Sequence, residues 1–356
     1  MMPRSTLIAP CAGSSSRYGP GKPKYLYTLP NGKPLFYESL APLLKNYNDI
    51  AFGVLKEHDE EYHASTIIEQ VFSKFSDIIP KIKIIDHTLR GPAYTVKVII
   101  ESLSIKGQVT IKDCDSLFSL PSGIELSGNK VCFADAKENN IERLCSKSSL
   151  EVDSQNRVHR IIEKMLFSPL IAVGGYSFQH SSEFLEAFNA ISSETQGEIF
   201  ISHVIENMIE SGMPFWAQKV SGFKDLGTKK DFISFAKSYS SIFCDIDGVI
   251  FKNRGMFGTK TWADKSEPLS SNINCLLSLQ DKGATFIFST SRSEEYRVKT
   301  FNDLVELGFK NFQLVMNLPH SPRLIINDFS HSNPYPSCSS ISILRDSDLN
   351  HYVEGT

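Results

Sequence analysis

Leu7-Ile-Ala-Pro-Cys-Ala-Gly-Ser-Ser-Ser-Arg-Tyr-Gly19 opens on a short apolar run and breaks into a loop of small residues. The run Leu7–Pro10 is too short for a helix and predicts a buried strand. Glycine and serine beyond it let backbone N–H groups approach an anion closely, and helix-end dipoles past such a loop favour negative charge. Arg17, and Lys24 in Pro23-Lys24, add the positive charge that a loop of this kind lacks. A glycine-serine loop alone is often only a turn. Strand, loop, arginine and lysine together point to a phosphate site.

Working outward, short β-branched runs alternate with longer helical segments, the pattern of α/β architecture. Strands are expected at Leu7–Pro10, Ile50–Val54, Lys83–Ile85, Gln108–Lys112, Lys130–Phe133, Arg160–Glu163 and Ile171–Tyr176, with helices at Phe36–Lys45, Tyr94–Leu103, Ser182–Ser192 and Ser202–Ser211. A second alternation starts at Ser241. There Ser241–Cys244, Thr285–Ser289, Phe312–Met316 and Leu324–Ile326 read as strands, and Ser271–Lys282 and Arg292–Leu307 as helices. The polar stretch Thr228–Tyr239 is the expected junction.

Length and composition fit this division. The 356 residues exceed one ordinary core, and 41% apolar with 22% charged residues is globular composition. A net charge of −3 gives no global field for nucleic acid or an anionic membrane. The seven cysteines are scattered and never in a Cys-x-x-Cys spacing, which argues against a disulfide framework or zinc site and for a reducing compartment. The apolar start is too short for a signal peptide, and no run approaches the ~20 apolar residues of a membrane helix. A cytoplasmic protein without membrane insertion is expected; a homo-oligomer stays open.

The stretch Ala12-Gly13-Ser14-Ser15-Ser16-Arg17-Tyr18-Gly19 with Pro23-Lys24 resembles the signature loop of sugar-phosphate nucleotidyltransferases, of the glucose-1-phosphate thymidylyl- and cytidylyltransferase type. Four further segments resemble that family in order: Arg90-Gly91-Pro92-Ala93, Ile111-Lys112-Asp113-Cys114-Asp115, Ile162-Glu163-Lys164 with Val173-Gly174-Gly175-Tyr176, and Asp225-Leu226-Gly227-Thr228. The resemblance implies a Rossmann-like, GT-A type domain over residues 1–236 that transfers a nucleotidyl group from an NTP to a phosphate, with Mg²⁺ as cofactor. It implies nucleotide contacts from the loop Ala12–Ser16, from Gly91, Pro92 and Ala93 at the base, and from Asp113. Glu163, Lys164, Gly175 and Glu198 would serve the acceptor, Arg17 and Lys24 the triphosphate, and Asp115 and Asp225 the metal ion.

The chemistry suits those residue types. A phosphate oxygen of the acceptor attacks the α-phosphorus and pyrophosphate leaves opposite, so positioning and charge neutralisation dominate. Mg²⁺ usually takes one or two carboxylates beside phosphates and water. Asp113 and Asp115 share a face if the segment is extended, so Asp113 is a second ligand or an outer partner. Plainer readings exist for each group: strand-end acids in water, a surface Glu163–Lys164 pair, and Asp225 as a helix N-cap. The serine-rich loop and the Lys112-Asp113-Cys114-Asp115 form depart from the commoner family pattern. The latter resembles branches that use CTP, so CTP with a sugar or polyol phosphate is expected, a fructose 6-phosphate-like acceptor being one candidate, feeding surface-polysaccharide assembly.

In the second alternation, Ile242-Phe243-Cys244-Asp245-Ile246-Asp247-Gly248-Val249 resembles the first motif of the haloacid dehalogenase superfamily. Thr290, Arg323 (less readily Lys299) and Asp328 follow in the order of that family's remaining positions. The resemblance implies a small capless haloacid dehalogenase-like α/β domain over 237–356. Asp245 would be the nucleophile, Asp247 the acid and base, Thr290 and Arg323 the phosphoryl cradle, and Asp245, Asp247 and Asp328 the Mg²⁺ ligands. The short chain between the first two motifs implies the missing cap, and an arginine in the usual lysine position implies a weak or vestigial phosphatase. The rival expectation makes phosphate hydrolysis the main activity and the first domain a nucleotide sensor.

Overall fold

The computed structural model of the chain describes residues 5–19, 21–139, 146–193, 197–237, 241–328 and 338–353. The chain divides into two units, Met1–Asp231 and Phe232–Thr356.

In the first unit the run Leu7–Pro10 lies inside β1 (Ser5–Cys11), where Leu7, Ile8 and Ala9 are fully buried. Such continuous burial belongs to a parallel strand covered on both faces. β1 lies between β2 (Asp49–Leu55) and β4 (Gln108–Lys112), parallel to both, and β3 (Lys81–Ile85) pairs with β2 at the edge. Successive residues of β1 alternate between two cores. Leu7 and Ala9 pack with Phe36 and Leu40 of α1 (Leu35–Leu44) and Ile68 and Phe72 of α3 (Ala64–Phe75). Ile8 packs instead with Val96 and Ile99 of α4 (Pro92–Ser102). α2 (Lys56–Tyr62) precedes α3 across His63, which takes a left-handed φ of 53°.

Beyond β4 the sheet becomes mixed. β6 (Lys130–Asp135) and β9 (Leu170–Phe178) pair antiparallel, as do β4 and β9, and β10 (Phe215–Lys219) runs parallel to β6. β7 (Ser149–Val152) and β8 (Arg157–Ile162) close a nine-stranded sheet of order β3-β2-β1-β4-β9-β6-β10-β8-β7. A separate two-stranded ribbon joins β5 (Ser116–Ser119) to β11 (Ser221–Asp225). α5 (Ala136–Asn139) follows β6, α6 (Ser181–Ser192) and α7 (Ile201–Glu210) follow β9, and α8 (Lys229–Lys237) runs across the division at residue 231. The stretch expected as the junction, 228–239, is helical through residue 237, and its last two positions lie outside the described residues.

The second unit carries a parallel sheet of β12 (Ser241–Asp245), β13 (Thr285–Ser289) and β14 (Gln313–Val315), in that order. α9 (Ser270–Asp281) and α10 (Arg297–Glu306) are the crossovers. Phe286, Phe288, Leu304 and Phe309 form its centre. The buried Asn272 donates to Val249 and Ser347 carbonyls and accepts from the Leu349 N–H, which fixes the approach to α11 (Asn350–Val353). Two expectations are corrected here. Leu324–Ile326 is not a strand: residues 322–328 have no regular structure, and Leu324 and Ile326 are exposed. Pro319 and Pro322, which lack N–H donors, lead into this run. The helix expected from Arg292 starts only at Arg297, because Arg292 is held in the preceding turn by the bonds described below. No helix among the described residues is long and apolar enough to cross a membrane.

Candidate active site

β1 and β4 are parallel neighbours at the point where the strand order reverses, so their carboxyl ends open a crevice between them. The small-residue loop leaves from Cys11 and the acidic turn from Lys112, so topology alone puts the two candidate motifs side by side. Ser15 takes φ 53°, and its hydroxyl accepts from the Lys24 N–H at 3.3 Å. Gly13 has open space where a Cβ would stand. The Cys11 and Cys114 thiols meet at 3.3 Å and both are buried; burial pushes the Cys11 thiol up, as for a packed rather than a reactive cysteine.

The acidic turn is built on a buried ammonium. Lys112 is fully buried, and its Nζ donates to the Asp113 carbonyl (2.6 Å), the Ser116 carbonyl (2.7 Å) and Ser116 Oγ (2.8 Å), over the Phe118 ring. Burial lowers its pKa. Asp113 turns the other way: its N–H donates to the Gly174 carbonyl, and its carboxylate occupies the space a Cβ on Gly174 would need, 2.5 Å from Oδ2. Burial raises the Asp113 carboxyl, and the neighbouring Asp115 adds to the rise.

Asp115 and Asp225 meet through the β5–β11 ribbon, whose register pairs Ser116 with Asp225 while the Leu226 N–H donates to the Asp115 carbonyl at 2.8 Å. A Cβ on Gly227 would lie 3.0 Å from Asp225 Oδ1, 3.4 Å from Asp115 Oδ2 and 3.6 Å from an Arg17 guanidinium nitrogen. Three groups from three distant segments therefore surround one glycine. Lys24 Nζ donates to Asp115 Oδ2, and Lys147 Nζ lies 2.7 Å from Asp225 Oδ2. Burial works to raise the Asp115 carboxyl, but the Lys24 ammonium, with Lys147 and Arg17 behind it, holds it well below the usual carboxylate range. Tyr18 Oη donates to the Leu226 carbonyl at 2.5 Å, tying the loop to the distal aspartate segment.

The plainer readings of these acids are not met. Asp225 does not cap α8; Thr228 does, exchanging hydrogen bonds with Asp231. Among the described residues no three His, Cys, Asp or Glu side chains converge as a protein-only metal site. Two carboxylates that meet around Gly227, each now neutralised by a lysine, nevertheless suit Mg²⁺, which draws its other ligands from phosphate and water.

Of the residues expected to serve the acceptor, Glu163 accepts through Oε2 from Ser148 Oγ and from Ser202 Oγ (2.7 Å). Lys164 has φ 53°, lies 4.0 Å from Glu198 and sits over the Phe200 ring, with both charged groups exposed. Gly175 faces the interior: its missing Cβ would strike Phe118 and Cys132, so close packing explains it. At the turn expected to read the base, the backbone N–H groups are engaged within the fold. The Gly91 N–H donates to the Leu89 carbonyl and the Ala93 N–H to the Ile199 carbonyl, while Pro92 has none. These donors serve the fold, and Gly91 at φ 103° is required because a Cβ would meet the Ile199 backbone at 2.5 Å.

In the second unit Asp245 ends β12 and Thr290 follows β13, whose strands are paired. Thr290 Oγ1 donates to Asp247 Oδ2 at 3.1 Å, and Arg323 reaches Asp245 at 3.5 Å. Burial raises the Asp245 carboxyl, with Arg323 opposing. Asp328 is exposed on the irregular segment. Lys299 is engaged with Asp303 and Ser266 instead. The sequence reading missed Arg292: almost fully buried, it grips Asp247 through Nε and a terminal nitrogen at 3.0 and 2.8 Å and donates to Thr300. Lys112 and Lys147 were missed too. Lys147 sits in no motif, and only β5–β11 pairing reveals its partner.

The nucleotidyl transferase family model matches residues 149–241, from β7 to the start of β12. No curated protein matches the chain in sequence. Among solved structures, a nucleoside-diphosphate-sugar pyrophosphorylase from Vibrio cholerae RC9 is similar at TM-score 0.54 and 21% identity, covering 65% of this chain and 99% of that one. A Bacillus anthracis protein assigned as a glucose-1-phosphate thymidylyltransferase, solved with sucrose, is similar at 0.52 and 17%, covering 65% and 93%. A UDP-glucose pyrophosphorylase solved with UDP-glucose follows at 0.51 and 15%, covering 66% and 98%. At these identities the likeness establishes the nucleotidyltransferase-type α/β fold.

Proposed function

We propose that the first unit transfers a nucleotidyl group from an NTP to the phosphate of a sugar or polyol phosphate, releasing pyrophosphate. The observation that carries this reading is the meeting of Arg17, Asp115 and Asp225 around Gly227, with Lys24 on Asp115, at the crevice of a fold shared with sugar nucleotidyltransferases.

Arg17 and Lys24 hold the triphosphate and neutralise charge that grows on the leaving pyrophosphate. The acceptor phosphate oxygen forms its bond to the α-phosphorus while the bond to the β-phosphate oxygen breaks, and the electron pair leaves with pyrophosphate. Asp115 and Asp225 would hold Mg²⁺, which supplies further charge neutralisation at the phosphates when bound. Glu163, fixed by two serine hydroxyls, orients acceptor hydroxyls. CTP is the favoured nucleotide, a product for surface-polysaccharide assembly the favoured role, and the cytoplasm the setting. Pyrophosphate release from four NTPs against a panel of sugar and polyol phosphates tests this. Asp225→Asn is expected to lower the rate at least ~100-fold with the fold intact, and near-wild-type release would sink the assignment.

For the second unit we propose a haloacid dehalogenase-like phosphohydrolase of low turnover. Asp245, Asp247, Thr290 and Arg323 support the phosphate-handling part. The Arg292 grip opposes acid catalysis, since a protonated Asp247 would strand a buried guanidinium. Phosphates whose leaving group needs no proton, such as p-nitrophenyl phosphate, are therefore expected to outpace alkyl phosphates. Equal rates would remove that restraint. If inorganic phosphate release exceeds pyrophosphate release on all substrates, the hydrolase becomes the main activity.

A further inference from the structure

Asp225 carries a lysine that no motif announces. Lys147 Nζ lies 2.7 Å from Asp225 Oδ2, and only 20% and 16% of the two side chains is exposed. It stands on the opposite carboxylate from Lys24, whose ammonium is on Asp115. The next residue, Ser148, puts its hydroxyl on Glu163, and Glu163 is also held by Ser202. Lys147 thus joins the carboxylate pair to the acceptor side, whereas Arg17 and Lys24 belong to the loop after β1.

Resting on the transferase reading, we propose that Lys147 binds the acceptor's phosphate and guides it to the α-phosphorus. In-line displacement places incoming and leaving groups on opposite sides of that phosphorus, so each needs its own positive charge. Arg17 and Lys24 serve the leaving side. On the incoming side, Lys164 is over half exposed and 4.0 Å from Glu198. An exposed, already paired ammonium contributes little. Lys147 is shielded, where a charge acts more strongly, and its flexible stem allows it to turn from one oxygen anion to another. With Asp225 turned to a divalent ion, Lys147 loses its counter-charge and takes the incoming phosphomonoester dianion as its partner. The ammonium keeps its proton throughout. The only bond made is acceptor oxygen to α-phosphorus, the only one broken is α-phosphorus to the bridging oxygen, and pyrophosphate takes the electron pair.

Calorimetry on the full chain tests this, using the α,β-methylene analogue of whichever NTP the wild type turns over, with Mg²⁺, and inorganic phosphate as the probe for the acceptor phosphate. Lys147→Met is expected to weaken phosphate binding to the nucleotide complex about tenfold, as loss of a charge-assisted pair does. Nucleotide affinity should stay within about twofold, and Lys147→Arg should restore most of the phosphate affinity. Mn²⁺ binding without nucleotide, followed by electron paramagnetic resonance, should tighten in Lys147→Met, because the competing ammonium is gone. Circular dichroism checks that both variants fold. Wild-type phosphate affinity in a folded Lys147→Met, or a loss confined to the nucleotide, overturns the proposal while leaving the transferase reading intact. A wild type that releases pyrophosphate from no NTP overturns the transferase reading, and this assignment with it.

Discussion

Gly174 shows how one missing side chain shapes the candidate site. It holds φ 80°, a conformation that side chains adopt only with strain, and the space beside it is filled by the Asp113 carboxylate. Gly174→Ala should therefore cost at least ~2 kcal/mol of stability through strain and overlap, and it should push Asp113 out of its place. A thermal melt together with pyrophosphate release checks this; an alanine variant as stable and active as wild type would show that Asp113 has room to move. At this scale the sequence was informative where chemistry demands a residue type next to a break in pattern: Arg17, Lys24, Asp115 and Asp225 sit at strand or loop ends, and the fold gathers them. It was silent on Lys147 and Arg292, because a lysine or arginine in a polar stretch reads as surface until its partner is known.

The elements that position those residues were unevenly legible. Strands with continuous burial, such as β1, β2 and β9, announce themselves by unbroken apolar runs. β5 and β11 do not: they are short and serine-bearing, and they pair only with each other, yet their register joins Asp115 to Asp225. α2 was also hidden, because its sequence is almost wholly charged and carries no apolar period. The turn between β4 and β5 depends on Lys112. Lys112→Met removes a costly buried charge, but it also leaves two buried carbonyls and a hydroxyl without their donor. Stranded acceptors cost about 1–3 kcal/mol each, so the net change should be a loss of about 2 kcal/mol or more, seen as a lower denaturation midpoint. Pyrophosphate release should fall as well, since Asp113 and Asp115 hang from this turn. A methionine variant at least as stable as wild type would mean that the ammonium is a burden rather than a tie.

At the scale of the whole chain, the two units keep separate interiors. The two large clusters of the first unit draw on residues from Leu7 to Phe223, and the cluster of the second on Ile242 to Leu349. All four groups proposed to handle the triphosphate and metal, Arg17, Lys24, Asp115 and Asp225, precede the division at residue 231. A nine-stranded sheet with apolar helices on both faces buries enough surface to fold alone. We therefore expect a chain truncated after residue 237, at the end of α8, to be soluble, to unfold in one cooperative transition, and to keep the pyrophosphate-releasing activity of the full protein within about twofold. Residues 241–356 expressed alone should release no pyrophosphate from any NTP. The comparison is decisive because both pieces are assayed on the same substrates as the full chain. A truncated first unit that is folded by circular dichroism yet inactive, with activity returning when the second piece is added, would show that the transferase site needs residues beyond 237.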